Sequence, residues 1–347
     1  MKNKYIRRRI LAVGLILVLL VGGLAFSNRS TIRSFLDSVT GADYSGSGHG
    51  SVVLQISAGD DGATVSQDLV NLGVVKTYRT IYKLVIARDF VFYPGSYQLK
   101  LQMSSPAALD ALANPANRIS NKVTIKEGLR IGQVFDALAK ATDISRAEFE
   151  TASKDLPGLG ISSSEVSAEG WLFPATYDFD PGLSAKQILK VMVKRTISEL
   201  DHFSVAKEDR HKVLTLAALV QKEARQEPDF YKVSRVFLNR IEQGMHLQSD
   251  ATVSYGVGGS TVSTSAADRA DSNGYNTYVH SGLPIGPIGA PGSVAIDAAL
   301  HPAEGKWLYF CAINLKTGET VFSNTYAEHQ AAVRLWQAWM RENPGYD

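Results

Sequence analysis

A single cysteine in 347 residues, Cys311, leaves no internal disulfide framework to draw. It lies in the apolar run Leu308-Tyr309-Phe310-Cys311-Ala312-Ile313 with no cysteine motif around it. It therefore reads as a small core residue and not as a nucleophile. Excess charge is also missing. Lys and Arg number 36 against 34 Asp and Glu, a net of +2, so nothing points to nucleic acid. The chain has no Gly-rich phosphate loop and no GxSxG elbow, which removes the usual anchors for nucleotide and serine-hydrolase chemistry. His246, His301 and His329 occur without HExxH or paired spacing, so neither a metal nor another cofactor is expected.

What is present begins at the N-terminus. Residues 1–9 carry Lys2, Lys4, Arg7, Arg8 and Arg9, and an uncharged apolar run follows from Ile10 to Phe26. Seventeen residues reach the short end of the ~17–25 needed to span a bilayer. The basic cluster places residues 1–9 in the cytoplasm and the rest outside, a single-pass anchor in the cell (inner) membrane. A cleaved signal peptide is the competing reading, but Ala25-Phe26-Ser27 matches a cleavage site poorly. Residues 27–51 read as a flexible linker, with Asp37 to Ser51 dominated by Gly, Ser and Asp.

The length suits two or three domains at ~100–200 residues each. Residues 52–150 read as a small α+β module. Val52 to Ile56 is a strand, Gly59-Asp60-Asp61-Gly62 a turn, and Ala63 to Leu72 a helix with Val65, Leu69 and Leu72 on one face. Lys122 to Ile125, Glu127-Gly128 and Ile131 to Ala139 repeat that order, which suggests a diverged internal repeat. Pro106 to Ala113 is a further helix. The module is either a spacer or a glycan-binding unit with Tyr93 and Tyr97 exposed as stacking platforms.

Residues 151–347 carry the chemistry. Within Val213 to Asp250, Leu216, Leu219, Val220 and Glu223 fall at i, i+3, i+4 and i+7 of one helix face. Glu223 stands where a fourth apolar residue belongs, while Gln221 and Lys222 point elsewhere and should be solvated. A carboxyl on a buried face loses hydration, its pKa rises, and it becomes a candidate general acid. The plainer reading is a helix-edge glutamate that reaches water. Pro228 ends this helix, and a second, Asp229 to Gln243, turns Phe230, Val233, Phe237 and Ile241 inward and stops at Gly244. The polar turn His246 to Asp250 follows, and the two helices with this turn could wall a cleft.

Three further stretches are unusual. Glu169-Gly170-Trp171-Leu172-Phe173-Pro174 sets a carboxyl among aromatics, as a sugar subsite or an ordinary core corner would. Asn273 to Tyr278 and the Gly- and Pro-rich Gly282 to Gly292 form a stiff loop with polar groups to offer a ligand. Helix Ser293 to Leu300, a hairpin of Trp307 to Ile313 with Glu319 to Ser323, and helix Ala327 to Arg341 complete the chain.

Taken in order, these motifs resemble the YceG-like family of endolytic murein (peptidoglycan) lytic transglycosylases. The matching pieces are Glu169 to Pro174, Ala218-Leu219-Val220-Gln221-Lys222-Glu223-Ala224, Val236 to Arg240, Gly244 to Asp250, Tyr275 to Tyr278, Gly282-Leu283-Pro284 and Pro291-Gly292. Each is weak alone, and the ordered set is specific. The resemblance implies a membrane helix, a LysM-like α+β module and a larger α+β catalytic domain. Where the family's catalytic helix reads V-E-K-E, this chain has Gln221 at the first Glu, so Glu223 is the residue left for the catalytic acid. Ser249, Ala251, Ile285 and Ala290 also depart from the family's pattern.

The resemblance further implies cleavage of MurNAc–GlcNAc bonds of nascent glycan strands to 1,6-anhydro-MurNAc ends, which would terminate strand elongation. Glu169, Gln248, Asp250, Tyr275 and Asn276 are then the candidates for contacting substrate or orienting Glu223. Expected partners are the glycan strands, the membrane and peptidoglycan synthases of the elongation machinery. Two alternatives stand beside this reading: a water-using muramidase pairing Glu223 with Glu169 or Asp250, and a non-catalytic wall-binding scaffold.

Overall fold

The structure is a computed structural model that describes residues 42–259 and 264–345. The expected cytoplasmic tail, the span Ile10 to Phe26 and most of the linker lie outside the described residues. Among the described residues no helix is long and apolar enough to cross a membrane. The chain is of mixed α+β class and divides into two compact units, Met1–Ser120 and Asn121–Asp347.

In the first unit, β1 (Ser47–Ile56) and β2 (Gly95–Met103) pair antiparallel, and β3 (Arg118–Ile119) adds to β2. Between β1 and β2 run α1 (Gly62–Asn71) and α2 (Tyr78–Ala87), and α3 (Ser105–Ala113) follows. Asp61 starts α1 by accepting from the Thr64 N–H, which satisfies an otherwise unpaired first-turn donor. Leu54, Leu69, Ile81, Leu99 and Leu109 form the centre of the core.

Three sequence expectations change here. Residues 47–51, read as linker, are the first half of β1. Helix α2 was not foreseen, because Tyr78-Arg79-Thr80-Ile81-Tyr82 looks strand-like; burial of Ile81 and Val85, one turn apart, overrides that preference. Tyr93 is exposed as expected, but Tyr97 is buried and its hydroxyl donates to the Tyr93 carbonyl, so it offers no stacking face.

The second unit opens with β4 (Asn121–Thr124), α4 (Ile131–Ala141), α5 (Arg146–Ala152), the single turn α6 (Leu156–Leu159) and β5 (Thr176–Phe179), with β4 and β5 antiparallel. A strand, intervening helices and a returning antiparallel strand thus occur in both units, two helices in the first and three in the second. The second set belongs to the larger core through Val123, Val134, Phe135, Leu138 and Phe149. The units therefore part at Ser120, whereas the sequence reading drew its domain boundary after Glu150.

Helix α7 (Ala185–His202) leads to α8 (Arg210–Glu223) and α9 (Glu227–Glu242). Every residue from Val213 to Val220 is buried, so α8 runs through the core and has no solvent face over those two turns. The sequence suggested a one-sided helix; small Thr215, Ala217 and Ala218 fill the remaining faces and let neighbours approach. Helix α8 packs against α12 (Ser293–Leu300), α9 and α10 (Asp250–Gly256). Pro228 does not end α8. It sits in the first turn of α9, where its missing N–H costs nothing.

Short α11 (Ala266–Ala270) precedes the Gly- and Pro-rich loop. The hairpin β6 (Tyr309–Asn314) and β7 (Glu319–Ser323) and the last helix α13 (Tyr326–Glu342) form as the sequence suggested. Cys311 is free and half-buried in β6.

Candidate active site

Glu223 is the last residue of α8 and faces a cavity of about 560 Å³ within the second unit. The residue is half-buried, and the loss of hydration at its carboxyl is the main force raising its pKa. The negative charge of Asp250 adds to the rise, while the Ser249 hydroxyl and the Arg240 guanidinium oppose it. Burial outweighs both, so the pKa lies above the ordinary carboxylate value.

The loop after α9 supplies the partner of Glu223. Gly244, at φ +66°, reverses the chain beyond the helix end. Leu247 is buried beneath the loop, and Gln248 takes a left-handed φ of +53° while its N–H donates to the Thr277 carbonyl. The Ser249 N–H donates to Thr277 Oγ1, and Thr252 Oγ1 donates to the Ser249 carbonyl at 2.7 Å. This buried threonine pair fixes Ser249, whose hydroxyl donates to Glu223 Oε1 at 2.6 Å.

Gln248 and Asp250 line the same cavity as Glu223. Asp250 accepts from the Tyr278 hydroxyl at 3.1 Å and from Thr264 Oγ1, and Arg269 lies 3.6 Å away. The other three candidates do not line it. Glu169 is buried 2% exposed; its two oxygens accept from the Ile131 N–H at the start of α4, and Oε2 accepts from the Tyr255 hydroxyl. Burial pushes its pKa up to about 7, against the pull of those donors and of Lys222. Tyr275 packs its ring on Tyr255 at 4.7 Å. Asn276 is fully buried, and its amide donates to the carbonyls of Asp268, Arg269 and Asp271. It shapes the loop around α11 and presents nothing to a ligand.

Several cavity residues escaped the sequence reading. Arg240 is buried; Nε donates to the Leu308 carbonyl, one Nη donates to that of Leu247, and the guanidinium lies over the Tyr309 ring at 5.2 Å. A signal for it existed. Val233, Phe237, Arg240 and Ile241 share one face of α9, so Arg240 is a charge on an apolar stripe, the same anomaly that marked Glu223. Arg130 and His329 also line the cavity, as does Tyr278 from the polar stretch the sequence had marked. Gln221 and Lys222 were expected in solvent. Gln221 is instead half-buried and accepts from the Gly292 N–H, whereas Lys222 is exposed as expected, its ammonium donating to the Gly128 carbonyl at the cavity's edge.

Gly170 shows why the Glu169 turn needs glycine. It has φ +78°, and a Cβ there would come within 2.4 Å of Pro287. Among the described residues no three His, Cys, Asp or Glu side chains converge as metal ligands would.

Residues 54–335 match the YceG-like family. The chain is 32% identical over 305 residues to the endolytic murein transglycosylase of Bacillus subtilis (strain 168), covering 81% of this chain and 83% of that protein. It is 28% identical over 275 residues to the endolytic murein transglycosylase of Streptococcus pneumoniae serotype 2 (strain D39), covering 69% of this chain but 50% of that protein. Among solved structures, that of a yceG-like protein from Listeria monocytogenes is similar, with a TM-score of 0.54 at 29% identity over 81% of this chain and 99% of that one.

Proposed function

This chain belongs to the YceG-like family, and from that premise we propose that it is an endolytic murein transglycosylase, a lyase acting within peptidoglycan glycan strands. The observation that carries the reading is the Glu223 carboxyl, held by Ser249 at the edge of an open cavity and biased by burial toward its protonated form. Such a group can donate a proton near neutral pH.

The chemistry needs one such group. Glu223 protonates the glycosidic oxygen between N-acetylmuramic acid and N-acetylglucosamine as the bond from muramoyl C1 breaks. The resulting carboxylate takes the proton of the muramoyl C6 hydroxyl, whose oxygen bonds to C1 and closes the 1,6-anhydro ring. No water is consumed, and Glu223 ends protonated as it began. The attacking hydroxyl belongs to the same sugar, so proximity replaces a second activated nucleophile. Ser249 and Arg240 stabilise the transient carboxylate.

Glu223→Gln tests this. Loss of cleavage of purified glycan strands by at least about 100-fold is expected, with the thermal transition unchanged. Normal release of anhydro-muramoyl product by that variant would refute the assignment. Asp250 beside Glu223 keeps a second reading alive, a two-carboxylate muramidase that adds water. Product mass separates the two by one water molecule.

The remaining features extend the proposal. The βααβ order of the first unit, with β1 and β2 antiparallel, supports reading it as a LysM-like glycan-binding module. The basic cluster before Ile10 to Phe26 supports a single-pass membrane anchor, which would bring the enzyme to nascent strands and their synthases and let its cuts end strand growth.

A further inference from the structure

The cavity beside Glu223 carries more positive charge than the proposed sugar chemistry uses, which draws on Arg240 alone. Arg130, Lys222 and Arg240 all line it. Arg130 donates to the Gly259 carbonyl and to the Ser254 hydroxyl, Lys222 to the Gly128 carbonyl, and Arg240 to the carbonyls of Leu308 and Leu247. These acceptors are all neutral. Among the described residues none of the three cations forms an ion pair with a carboxylate.

Nearby acids are already engaged. Asp250 receives Tyr278, Thr264 and Arg269, and both oxygens of Glu169 are held by Ile131 and Tyr255. Arg130 and Lys222 are also close enough to repel one another, and that repulsion adds to burial in holding the Lys222 ammonium below its ordinary pKa. Glu169 attracts Lys222 in the opposite sense, but among the described residues no carboxylate is in ion-pair contact with Arg130 or Lys222, and an anion entering between these two like charges lowers their mutual repulsion.

We infer that Arg130 and Lys222, beside Glu223, form a subsite for a carboxylate carried by the substituent on muramoyl O3. This inference rests on the reading above and adds to it which strands are preferred. The sugar rings of the strand are neutral N-acetyl hexosamines, so they cannot satisfy two cations. The carboxylates of the strand hang from the lactyl oxygen of each muramoyl unit, on the ring that Glu223 acts upon. An enzyme that cuts inside a strand meets such a carboxylate at every site. Arg240, deeper and fully engaged by carbonyls, is left to serve Glu223.

Binding tests this without turnover. Full-length Glu223→Gln protein is titrated with labelled native strands, and with strands whose carboxylates have been converted to primary amides by carbodiimide and ammonia. Native strands are expected to bind about tenfold tighter, the scale of one charge-assisted contact. Adding Arg130→Gln or Lys222→Gln should shrink that preference, whereas Lys194→Gln, exposed on α7, should leave it in place. Equal affinity for native and amidated strands overturns the inference. So does an equal loss on both kinds of strand in the Arg130 and Lys222 variants. Turnover by the unsubstituted protein is read separately, so a chain that discriminates strands but never cuts them would defeat the enzyme assignment alone.

Discussion

The Ser249 hydroxyl donates to Oε1 of Glu223 at 2.6 Å and so joins the start of α10 to the last residue of α8. This contact stabilises the carboxylate more than the acid, and Asp250 acts in the opposite sense. Two substitutions should therefore move the alkaline limb of the pH–rate profile in opposite directions. Ser249→Ala removes a group that lowers the Glu223 pKa, so the limb should shift to higher pH, with kcat falling about three- to tenfold for the lost hydrogen bond. Asp250→Asn removes a repelling charge, so the limb should shift to lower pH. Profiles of kcat/KM on purified strands check both; a common direction would mean that neither acts through Glu223.

Glu169 predicts a stability dependence on pH. Its folded pKa, raised to about 7, lies above its unfolded value of 4.5. The protonated form is thus the one the fold prefers. Its contribution is complete below about 4.5 and is lost as pH rises toward 7, an amount on the order of 3 kcal/mol. Glu169→Gln, uncharged throughout, should flatten this part of the Tm–pH curve. An unchanged slope would show that Glu169 is already ionised in the fold below neutral pH.

Arg240→Met should lower stability by about 2–4 kcal/mol, because the buried carbonyls of Leu308 and Leu247 lose their donor. It should also move the alkaline limb up, since a cation that favours the Glu223 carboxylate is gone. Denaturant unfolding and the pH profile read these effects independently. Arg240→Lys keeps the charge but cannot reach both carbonyls with one fork, so it should restore the limb more fully than the stability.

Much of this was legible in the sequence. Periodicity marked α8 and the misplaced Glu223, and Gly244 marked the end of α9, because helix faces and left-handed caps depend on local residues. Direction was harder to read. Asn276 and Tyr278 are two positions apart in one polar stretch, yet Asn276 turns inward to carbonyls 5–8 residues before it and Tyr278 faces the cavity. Only the path of the loop around α11 decides between them. Lys222 is exposed as read, but its partner, the Gly128 carbonyl, could not be read because it is 94 residues away in the chain. Glu169 was correctly singled out as unusual, but its oxygens serve α4 and Tyr255 instead of lining the cavity with Glu223.

The peptide dipoles of a helix sum to roughly half a negative charge at its C-terminal end. Glu223 is the final residue of α8, just beyond the buried stretch Val213 to Val220. Ionising the carboxyl places like charge against like at the helix terminus. The backbone of α8 therefore acts in the same direction as burial and favours the protonated form of Glu223.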